Sequence, residues 1–377
     1  MIWKEGMADM ENLKSKMKRI QKRDKMPAAD TIVQAVRIAA GSGAAMFAAS
    51  ALHLEFAASA GMVTLLTILT TKWETLKLSA ARIITFFMAV LLCWIIFTQV
   101  KNEGAAFGVF VFFLILASEW IGWRVTASVN AVIGTHFLAV RDFSFSFIMN
   151  EFLIILLGIT IAVIVNLFQN NNLQRNKIIA NMRYTEGAFQ NILNELSWYL
   201  LHSEKREGQK EGTGADAVWE KLELLTKDLD DFIQQARVYY NNTFQPHTSY
   251  YGRYFEMREK QCEALHNLHY EMEKIKQVPR QAAVIAEYIH YLSRHVTEMN
   301  DPENQLKRLE QLSNDMKKEE LPKTREEFEG RAVLYHILMD LEDFLNYKRQ
   351  FVERIDDTQF QIYWKKEVED FSSPSNI

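Results

Sequence analysis

The chain has 377 residues, 49% of them hydrophobic and 24% charged, and a formal net charge of −4. This average composition is typical of a soluble protein and gives no strongly basic surface, so we expect no nucleic-acid partner. The two cysteines, Cys93 and Cys262, are far apart in the sequence, which excludes a disulfide framework and a CxxC metal motif.

The charges divide the chain into two regions of opposite character. Residues 1–170 contain fifteen Lys and Arg against eleven Asp and Glu, whereas residues 171–377 contain twenty-eight against thirty-six. The long apolar runs all lie in the first region. We therefore expect a short segment at 1–27, a transmembrane domain at 28–170 and a water-facing helical domain at 171–377.

The segment at 1–27 has the pattern of a basic amphipathic helix. Its apolar positions recur three and four residues apart, at Met7, Met10, Leu13, Met17 and Ile20. Acids and bases are mixed and no apolar core follows, so we do not expect a signal peptide. Such a helix can lie on the anionic cytoplasmic leaflet or pack on the soluble part of the same protein.

Six apolar stretches follow, and none shows the alternation of barrel strands, so each is predicted as a helix. The first two are rich in small residues and are expected inside the bundle, whereas the third and fourth carry large side chains and are expected to face lipid. The fifth is the most polar, which indicates a protein-enclosed or water-lined position. The stretches are Ile32–Leu52, Phe56–Thr71, Ile83–Gln99, Ala105–Ser118, Val125–Val140 and Phe152–Phe168.

The sixth stretch is the joint between the two regions. Its seventeen uncharged residues can cross most of the ~30 Å hydrocarbon core of a bilayer as a helix. Polar residues follow with no proline to stop the helix, so we expect the span to continue directly into the soluble domain.

Basic residues set the expected orientation. Eight Lys and Arg lie in the N-terminal segment, and further bases lie between the second and third stretches (Lys72, Lys77, Arg82) and after the sixth (Arg175, Lys177). The other connections carry few bases. With six spans, both termini are expected in the cytoplasm of a bacterial cell, with the protein multi-pass in the plasma membrane.

The second region shows helical periodicity throughout and Gly- or Pro-bearing breaks between its segments. The fold class is therefore all-α, with a six-helix transmembrane bundle followed by a cytoplasmic antiparallel helical bundle. The helices predicted for the second bundle are Leu173–Ser203, Ala217–Asn241, Tyr250–Lys276, Gln281–Met299, Glu303–Lys318 and Arg325–Ile355.

Several motifs together resemble the bacterial aromatic acid exporter family, which is related to the fusaric acid resistance proteins. They are AVRIAAGSGAA, TKWETLKLSAARI, GWRVTASVNAVIGTHF and MNEFLIILLGITIAVIVNL in the membrane region, and YYGRYFEMREKQCEALHNL in the second region. The resemblance implies an exporter of small aromatic or other organic acids. One departure is the glycine-free run IITFFMAVLLCWIIF after Arg82, which argues against tight packing of the third helix.

The energy source and the reaction class are constrained by what the sequence lacks. It contains no GxxxxGK[ST] motif, so transport is expected to use a gradient rather than ATP. No constellation of nucleophile and base stands out, so we expect no enzyme, no cofactor and no metal.

Charged and polar groups within membrane helices are the candidate site residues. Arg37, Arg82 and Asn130 are candidates for substrate binding. Arg37 can hold a substrate carboxylate or anchor its helix at the interface, and Arg82 can act as an interfacial charge or a ligand. Asn130 can line a pathway or join helices.

His136 and Glu151 are candidates for proton coupling, since histidine titrates near neutral pH and a desolvated glutamate can approach it. The alternative is a histidine that is hydrogen-bonded only for packing. Nearby, Glu119 and Arg124 are expected to form a structural salt bridge.

Two features of the second region offer further hypotheses. His266, His269, His290 and His295 could meet at a metal, although their spacing fits no recognised pattern. Tyr250, Tyr251, Tyr254, Arg253 and Arg258 could hold an anionic aromatic effector, or could form a core edged by solvated arginines.

Two functions of different classes remain open. The first is a gradient-driven exporter of small organic anions embedded in the lipid bilayer, functioning as a homo-oligomer because six helices make a thin pore. The second is a non-transporting membrane anchor for a helical domain that binds a partner or senses a ligand.

Overall fold

The computed structural model describes residues 29–68, 71–168, 171–202, 215–275 and 277–365, and within these ranges every regular element is helical. The amphipathic helix expected at 1–27 lies outside the described residues. Contacts divide the chain into two compact units, an N-terminal unit that ends at Gln169 and a C-terminal unit that begins at Asn170.

The N-terminal unit contains six apolar helices among its described residues. Four of them are long and apolar enough to cross a membrane, whereas the second has 12 residues and the fifth has 14. The helices are α1 (Ala29–Ala51), α2 (Ala57–Ile68), α3 (Lys72–Gln99), α4 (Glu103–Trp120), α5 (Ala127–Val140) and α6 (Phe145–Leu167).

These six helices form two groups of three. In the first group α1, α2 and α6 pack on one another, and in the second group α3 packs on both α4 and α5, which also contact each other. The groups meet where α3 contacts α6 and where α2 contacts α5. We refer to them as the first and second helix groups.

Helix α3 begins eleven residues before the predicted start at Ile83. The Thr71 side chain accepts a hydrogen bond from the backbone N–H of Glu74, and Glu74 reciprocates, which is the capping-box arrangement. Lys72, Lys77 and Arg82, predicted as a connection, therefore lie within the first turns of a 28-residue helix.

The predicted exposure of the helices is only partly correct. Helix α1 buries one stripe, Gly41, Ala45 and Ala49, and exposes large residues elsewhere, so it lies at the edge of the unit rather than inside it. Helix α3 was expected to face lipid, and it exposes Phe87 and Trp94 on one side while it buries Phe86 and Phe97 on the other. Helices α2 and α5 are enclosed as predicted, with buried residues along most of their length.

Glycines allow the first helix group to pack closely. A Cβ atom at Gly158 of α6 would lie 2.8 Å from Val63 and 2.9 Å from the backbone oxygen of Ala60. A Cβ atom at Gly61 of α2 would lie 2.9 Å from the backbone oxygen of Ser42. The backbones of α1, α2 and α6 approach one another at positions where a side chain does not fit.

The continuous helix predicted across the joint is wrong. Helix α6 ends at Leu167, where the backbone of Phe168 leaves helical geometry (φ −78°, ψ 8°), and the next helix begins at Asn172. The side chain of Lys72 donates to the backbone oxygen of Leu167 at 3.2 Å, so a side chain of α3 binds the last carbonyl group of α6.

The C-terminal unit is a bundle of helices, of which five agree with the prediction to within three residues at each end, whereas α10 ends at Ser293, six residues before the predicted end at Met299. Helix α9 packs against both α8 and α12, while α7 packs against α8 and α10. A single core runs through the unit and includes Phe189, Leu222, Tyr254, Leu265 and Leu341. The helices are α7 (Asn172–Leu201), α8 (Ala215–Thr243), α9 (Ser249–Glu273), α10 (Ala282–Ser293), α11 (Glu303–Lys317) and α12 (Arg325–Glu353).

Substitution of Gly158 tests the close packing of the first helix group. We expect Gly158→Val to destabilise the unit by ~2 kcal/mol, because the new side chain must displace the backbone of α2. Gly108→Val is the matched control, since a Cβ atom there meets nothing within 4 Å. Thermal unfolding in detergent measures both, and equal melting temperatures for the two variants would contradict the packing described.

Candidate functional site

His136 and Glu151 form a buried pair in the N-terminal unit. Nδ1 of His136 lies 2.7 Å from Oε2 of Glu151, and Nε2 lies 2.9 Å from Oγ of Ser59. Glu151 is 0% exposed and His136 is 6% exposed. Both ring nitrogens and the carboxylate are therefore engaged within the protein interior.

The local sequence brings these residues together from three helices. His136 lies in the last turns of α5, and Glu151 lies in the second turn of α6. The connection is short because Arg141 adopts a left-handed conformation (φ 55°) and Ser144 caps α6 by accepting from the backbone N–H of Phe147. Ser59 approaches from the first turn of α2.

The turn between α1 and α2 covers the pair. The Phe56 ring stacks on the His136 imidazole, with centroids 4.2 Å apart and planes inclined by 7°. Asn150 Oδ1 accepts from the backbone N–H of Glu55 at 2.9 Å, and Asn150 Nδ2 donates to Oε1 of Glu151 at 3.1 Å. One amide thus connects the covering turn to the carboxylate.

This arrangement can hold and transfer a proton. An imidazole and a carboxylate in direct hydrogen-bond contact can pass a proton between them, because each has a lone pair that accepts one. Ionisable groups enclosed in membrane helices commonly form proton relays. The predicted proton-coupling candidates are therefore in direct contact.

Arg82 lies at the opposite end of α2. Its Nη1 donates to Oγ1 of Thr67, and its Nη2 donates to the backbone oxygen of Leu66 at 3.2 Å. The side chain is 1% exposed, Nε has no hydrogen-bond partner, and no carboxylate among the described residues forms an ion pair with it. Arg82 therefore provides a hydrogen-bond donor for a backbone carbonyl in the last turn of α2, where the helix dipole also favours a cation.

Two amide side chains add polar contacts from α5 and α6 to α3. Nδ2 of Asn130 donates to Oγ1 of Thr85 at 2.8 Å, and Oδ1 of Asn130 has no hydrogen-bond partner. Nδ2 of Asn166 donates to Oγ1 of Thr75 at 2.8 Å. Both amides are buried, so each joins two helices.

The structure does not gather all predicted site residues in one place. Glu151 and Asn166 are separated along α6 by about 22 Å, given the helical rise per residue. Arg37 is half-buried on α1, and its Nε has no hydrogen-bond partner. Sequence reasoning missed Ser59, Phe56 and Asn150, because their importance depends on tertiary contacts and no spacing signal marks them.

The other features predicted for the N-terminal unit lie apart from the His136–Glu151 pair. Nε of Arg124 lies 3.5 Å from Oε2 of Glu119, so the expected salt bridge forms, on the surface. Phe110 is buried in the second helix group, whereas Phe112 and Trp120 are exposed. An open surface groove of about 330 Å³ is lined by apolar side chains that include Phe87, Trp94 and Phe143.

In the C-terminal unit each of the four histidines has partners of its own. Nδ1 of His290 lies 2.8 Å from Oδ1 of Asn194, and Nδ1 of His295 lies 2.9 Å from the backbone oxygen of Tyr291. His266 and His269 both contact the Trp219 ring. The described residues contain no group of three or more metal-ligating side chains.

The tyrosines that follow position 249 belong to a buried ionic cluster. Tyr250 donates to Oε1 of Glu298 at 2.6 Å, and Nζ of Lys348 donates to the backbone oxygen of Glu298 at 2.5 Å. Arg258, expected to be solvated, is buried and lies 3.9 Å from Glu186. Burial raises the pKa of Glu298, and burial together with the nearby Arg258 charge lowers the pKa of Lys348 to about 7.

Comparisons with known proteins assign the chain to a family. The family model described as "Aromatic acid exporter family member 1" matches residues 31–169, and "Putative aromatic acid exporter C-terminal domain" matches residues 175–349. The uncharacterized protein YqjA of Bacillus subtilis (strain 168) is 30% identical over 317 residues, which cover 84% of this chain and 94% of that protein. The chain belongs to the aromatic acid exporter family, and it is a membrane protein.

A solved structure is also similar. It is titled "Crystal structure of putative membrane protein from Clostridium difficile 630", is 22% identical, and gives a TM-score of 0.39. The similarity covers 47% of this chain and 99% of that one.

The pH dependence of stability tests the burial of Lys348. Between pH 7 and its ordinary pKa of 10.5, the unfolded chain holds a proton on Lys348 that the folded chain has released. The free energy of unfolding therefore rises with pH across this window. Below pH 7 the buried charge of Lys348 destabilises the folded chain by its full amount.

We expect Lys348→Met to be stabilising relative to wild type near pH 6.5, by ~1–2 kcal/mol, with the difference shrinking toward pH 10. Chemical unfolding followed by tryptophan fluorescence between pH 6.5 and 10 measures this difference. Lys348→Arg is the control, because arginine stays charged and keeps its cost at every pH. Parallel wild-type and Lys348→Met curves would show that Lys348 does not titrate in this window.

Proposed function

We propose that the protein exports small aromatic or other organic acids across the plasma membrane, driven by a proton gradient that acts through His136 and Glu151. The observation that carries this proposal is the buried contact between these two side chains. The two side chains lie on largely apolar helices of a chain that belongs to a family of membrane exporters. Ionisable groups in such helices commonly mark a transport pathway or a proton relay.

The proposed topology has six spans at 28–170, a cytoplasmic helical bundle at 171–377, and an interfacial helix at 1–27. At about 18 and 21 Å by the helical rise, α2 and α5 are shorter than the hydrocarbon core. Short helices are tolerated in a membrane where protein encloses their ends. Enclosure of α2 by Phe56 at one end and Arg82 at the other supports counting it as a span.

The proposed pathway runs between the two helix groups. His136 on α5 contacts Ser59 and Glu151 on α2 and α6, so this contact joins the groups at one end. Arg82 on α3 contacts Thr67 and Leu66 on α2, so that contact joins them at the other end. We call these contacts the His136 lock and the Arg82 lock.

The distribution of basic residues supports placing the two locks on opposite sides of the membrane. The turn that covers His136 belongs to the base-poor connections expected outside, whereas Arg82 lies near Lys72 and Lys77. A proton-driven exporter takes protons from outside and substrate from inside. In this proposal the His136 lock receives the proton, and the Arg82 lock receives the substrate.

A substrate carboxylate has a physical reason to bind at the Arg82 lock. A buried guanidinium without a carboxylate partner is costly, and its Nε–H is a free donor beside the occupied Nη atoms. Carboxylates bind arginine through two parallel hydrogen bonds, which would displace the Leu66 contact and loosen the lock. Asn130 and Arg37 are proposed as further polar contacts along the way.

A second candidate function is supported by the C-terminal unit. It has a hydrophobic core of its own and a buried ionic cluster, and it makes up more than half of the chain. A membrane-anchored helical binding or sensor protein would need such a domain. In either case we propose a homo-oligomer, because six helices alone enclose little space.

Transport in inverted vesicles tests the proposed function. With an imposed pH gradient, the wild type is expected to accumulate labelled hydroxybenzoate. His136→Asn and Glu151→Gln are each expected to reduce this accumulation by about tenfold or more, because neither variant retains the complete proton site.

The matched control is Glu119→Gln, which removes an exposed carboxylate from the same unit and should leave accumulation unchanged. Exchange of labelled for unlabelled substrate without a gradient shows whether the variants still bind. Gradient-driven accumulation by the His136 and Glu151 variants at the wild-type rate would contradict proton coupling at this pair. Failure of the wild type to transport several organic anions would favour the anchored binding protein.

A further inference from the structure

We propose that Phe56 and Asn150 control proton access to the His136–Glu151 pair, with the Phe56 ring as a lid on the imidazole and Asn150 as the clamp that holds the lid closed. This inference rests on the proposed function, since it assigns the access route of the same proton site.

The Phe56 ring separates the imidazole from the surroundings. It is 38% exposed, whereas His136, directly beneath it, is 6% exposed. The two rings are stacked face to face at 4.2 Å, a distance that leaves no room for water between them. The Phe56 ring also meets Phe147 edge-on at 6.4 Å, so its position over His136 is supported from the side.

The backbone that carries this ring is held in an uncommon conformation. His53 and Phe56 have φ values of 52° and 57°, in the left-handed region. Residues with large side chains seldom adopt this region and remain there only where other contacts hold them. The turn between α1 and α2 is thus a segment that can relax when its contacts are lost.

Asn150 supplies those contacts. Its Oδ1 accepts from the backbone N–H of Glu55 at 2.9 Å, and its Nδ2 donates to the backbone oxygen of Glu55 at 3.3 Å. The backbone N–H and C=O groups of Glu55, the residue before Phe56, are therefore both bound by the side chain of Asn150.

The same amide reaches the proton site. Nδ2 of Asn150 also donates to Oε1 of Glu151 at 3.1 Å, while Oε2 of Glu151 faces Nδ1 of His136. A hydrogen bond to an ionised carboxylate is stronger than one to a neutral acid. The charge on Glu151 therefore influences how firmly Asn150 holds the turn, which links occupancy of the proton site to opening of its cover.

Chemical modification of His136 measures access without requiring transport. Diethyl pyrocarbonate reacts with accessible neutral imidazoles, and mass spectrometry of the full-length protein in proteoliposomes gives a rate for each histidine. His53 is exposed and serves as an internal reference for reagent concentration.

Phe56→Gly is the informative substitution, because glycine removes the ring and is at ease in the left-handed conformation that the turn requires. We expect it to raise the modification rate of His136 by about five-fold relative to His53, the scale of losing one stacked ring pair. Asn150→Ala should raise the rate in the same direction. Phe56→Tyr retains the ring and should leave the rate near that of wild type.

The control is Phe145→Ala, which removes an exposed phenylalanine from the first turn of α6 without a ring contact to His136. Equal rates for wild type and Phe56→Gly, with unchanged thermal unfolding, would overturn the lid. A higher rate in Phe145→Ala equal to that in Phe56→Gly would also overturn it, since access would not depend on the covering ring.

The lid and the proposed function fail in different ways. Fast modification in Phe56→Gly alongside full gradient-driven transport by His136→Asn would support the lid and refute proton coupling. Unchanged modification in Phe56→Gly alongside loss of transport in His136→Asn would refute the lid and leave proton coupling in place.

Discussion

Buried polar side chains join the two helix groups at both ends of a shared apolar core. Apolar side chains from both groups form that core, and polar contacts such as the one from Asn130 to Thr85 add to the packing within a group. Between the groups, His136 bonds to Ser59 and Glu151 at one end, and Arg82 bonds to Thr67 and Leu66 at the other. In a bilayer these groups have no water to replace a lost partner, so each contact is a costly one to break without a substitute.

In the proposed mechanism, this constraint lets a proton and an organic anion act on one bundle. A proton changes the charge at the His136 lock, and a carboxylate offers the Arg82 lock a better partner than a backbone oxygen. In that mechanism each ligand would replace the contact that is lost when the bundle opens at its own end. Close packing at Gly158 and Gly61 keeps the first helix group rigid, so movement would be concentrated between the groups rather than within them.

Much of the architecture could be predicted from sequence because apolar length and periodicity decide where helices form. The exact start of α3 could not, since a capping box at Thr71 and Glu74 extended the helix through a stretch rich in charge. The position of α1 was also misjudged, because small residues permit close packing without specifying which face is used. The break between α6 and α7 has no proline or glycine to mark it in the sequence.

The candidate site could likewise be predicted only in part. His136 and Glu151 were recognisable because charge within an apolar run is costly and therefore conspicuous. Their contact, and the roles proposed for Ser59, Phe56 and Asn150, depend on helices that are adjacent in space and distant in sequence. In the Arg82 lock, Arg82 could be predicted from its charge. Its partner, the backbone oxygen of Leu66, could not be predicted, because every residue has a backbone oxygen.

The most direct test of proton coupling is the proton movement itself. Proteoliposomes containing the full-length protein and an enclosed pH-sensitive dye can be given an outward gradient of hydroxybenzoate at equal pH on both sides. The proposed mechanism predicts a proton flux opposite to the substrate flux, absent in Glu151→Gln and in empty liposomes. Substrate efflux by the wild type with no proton flux beyond that of empty liposomes would contradict it.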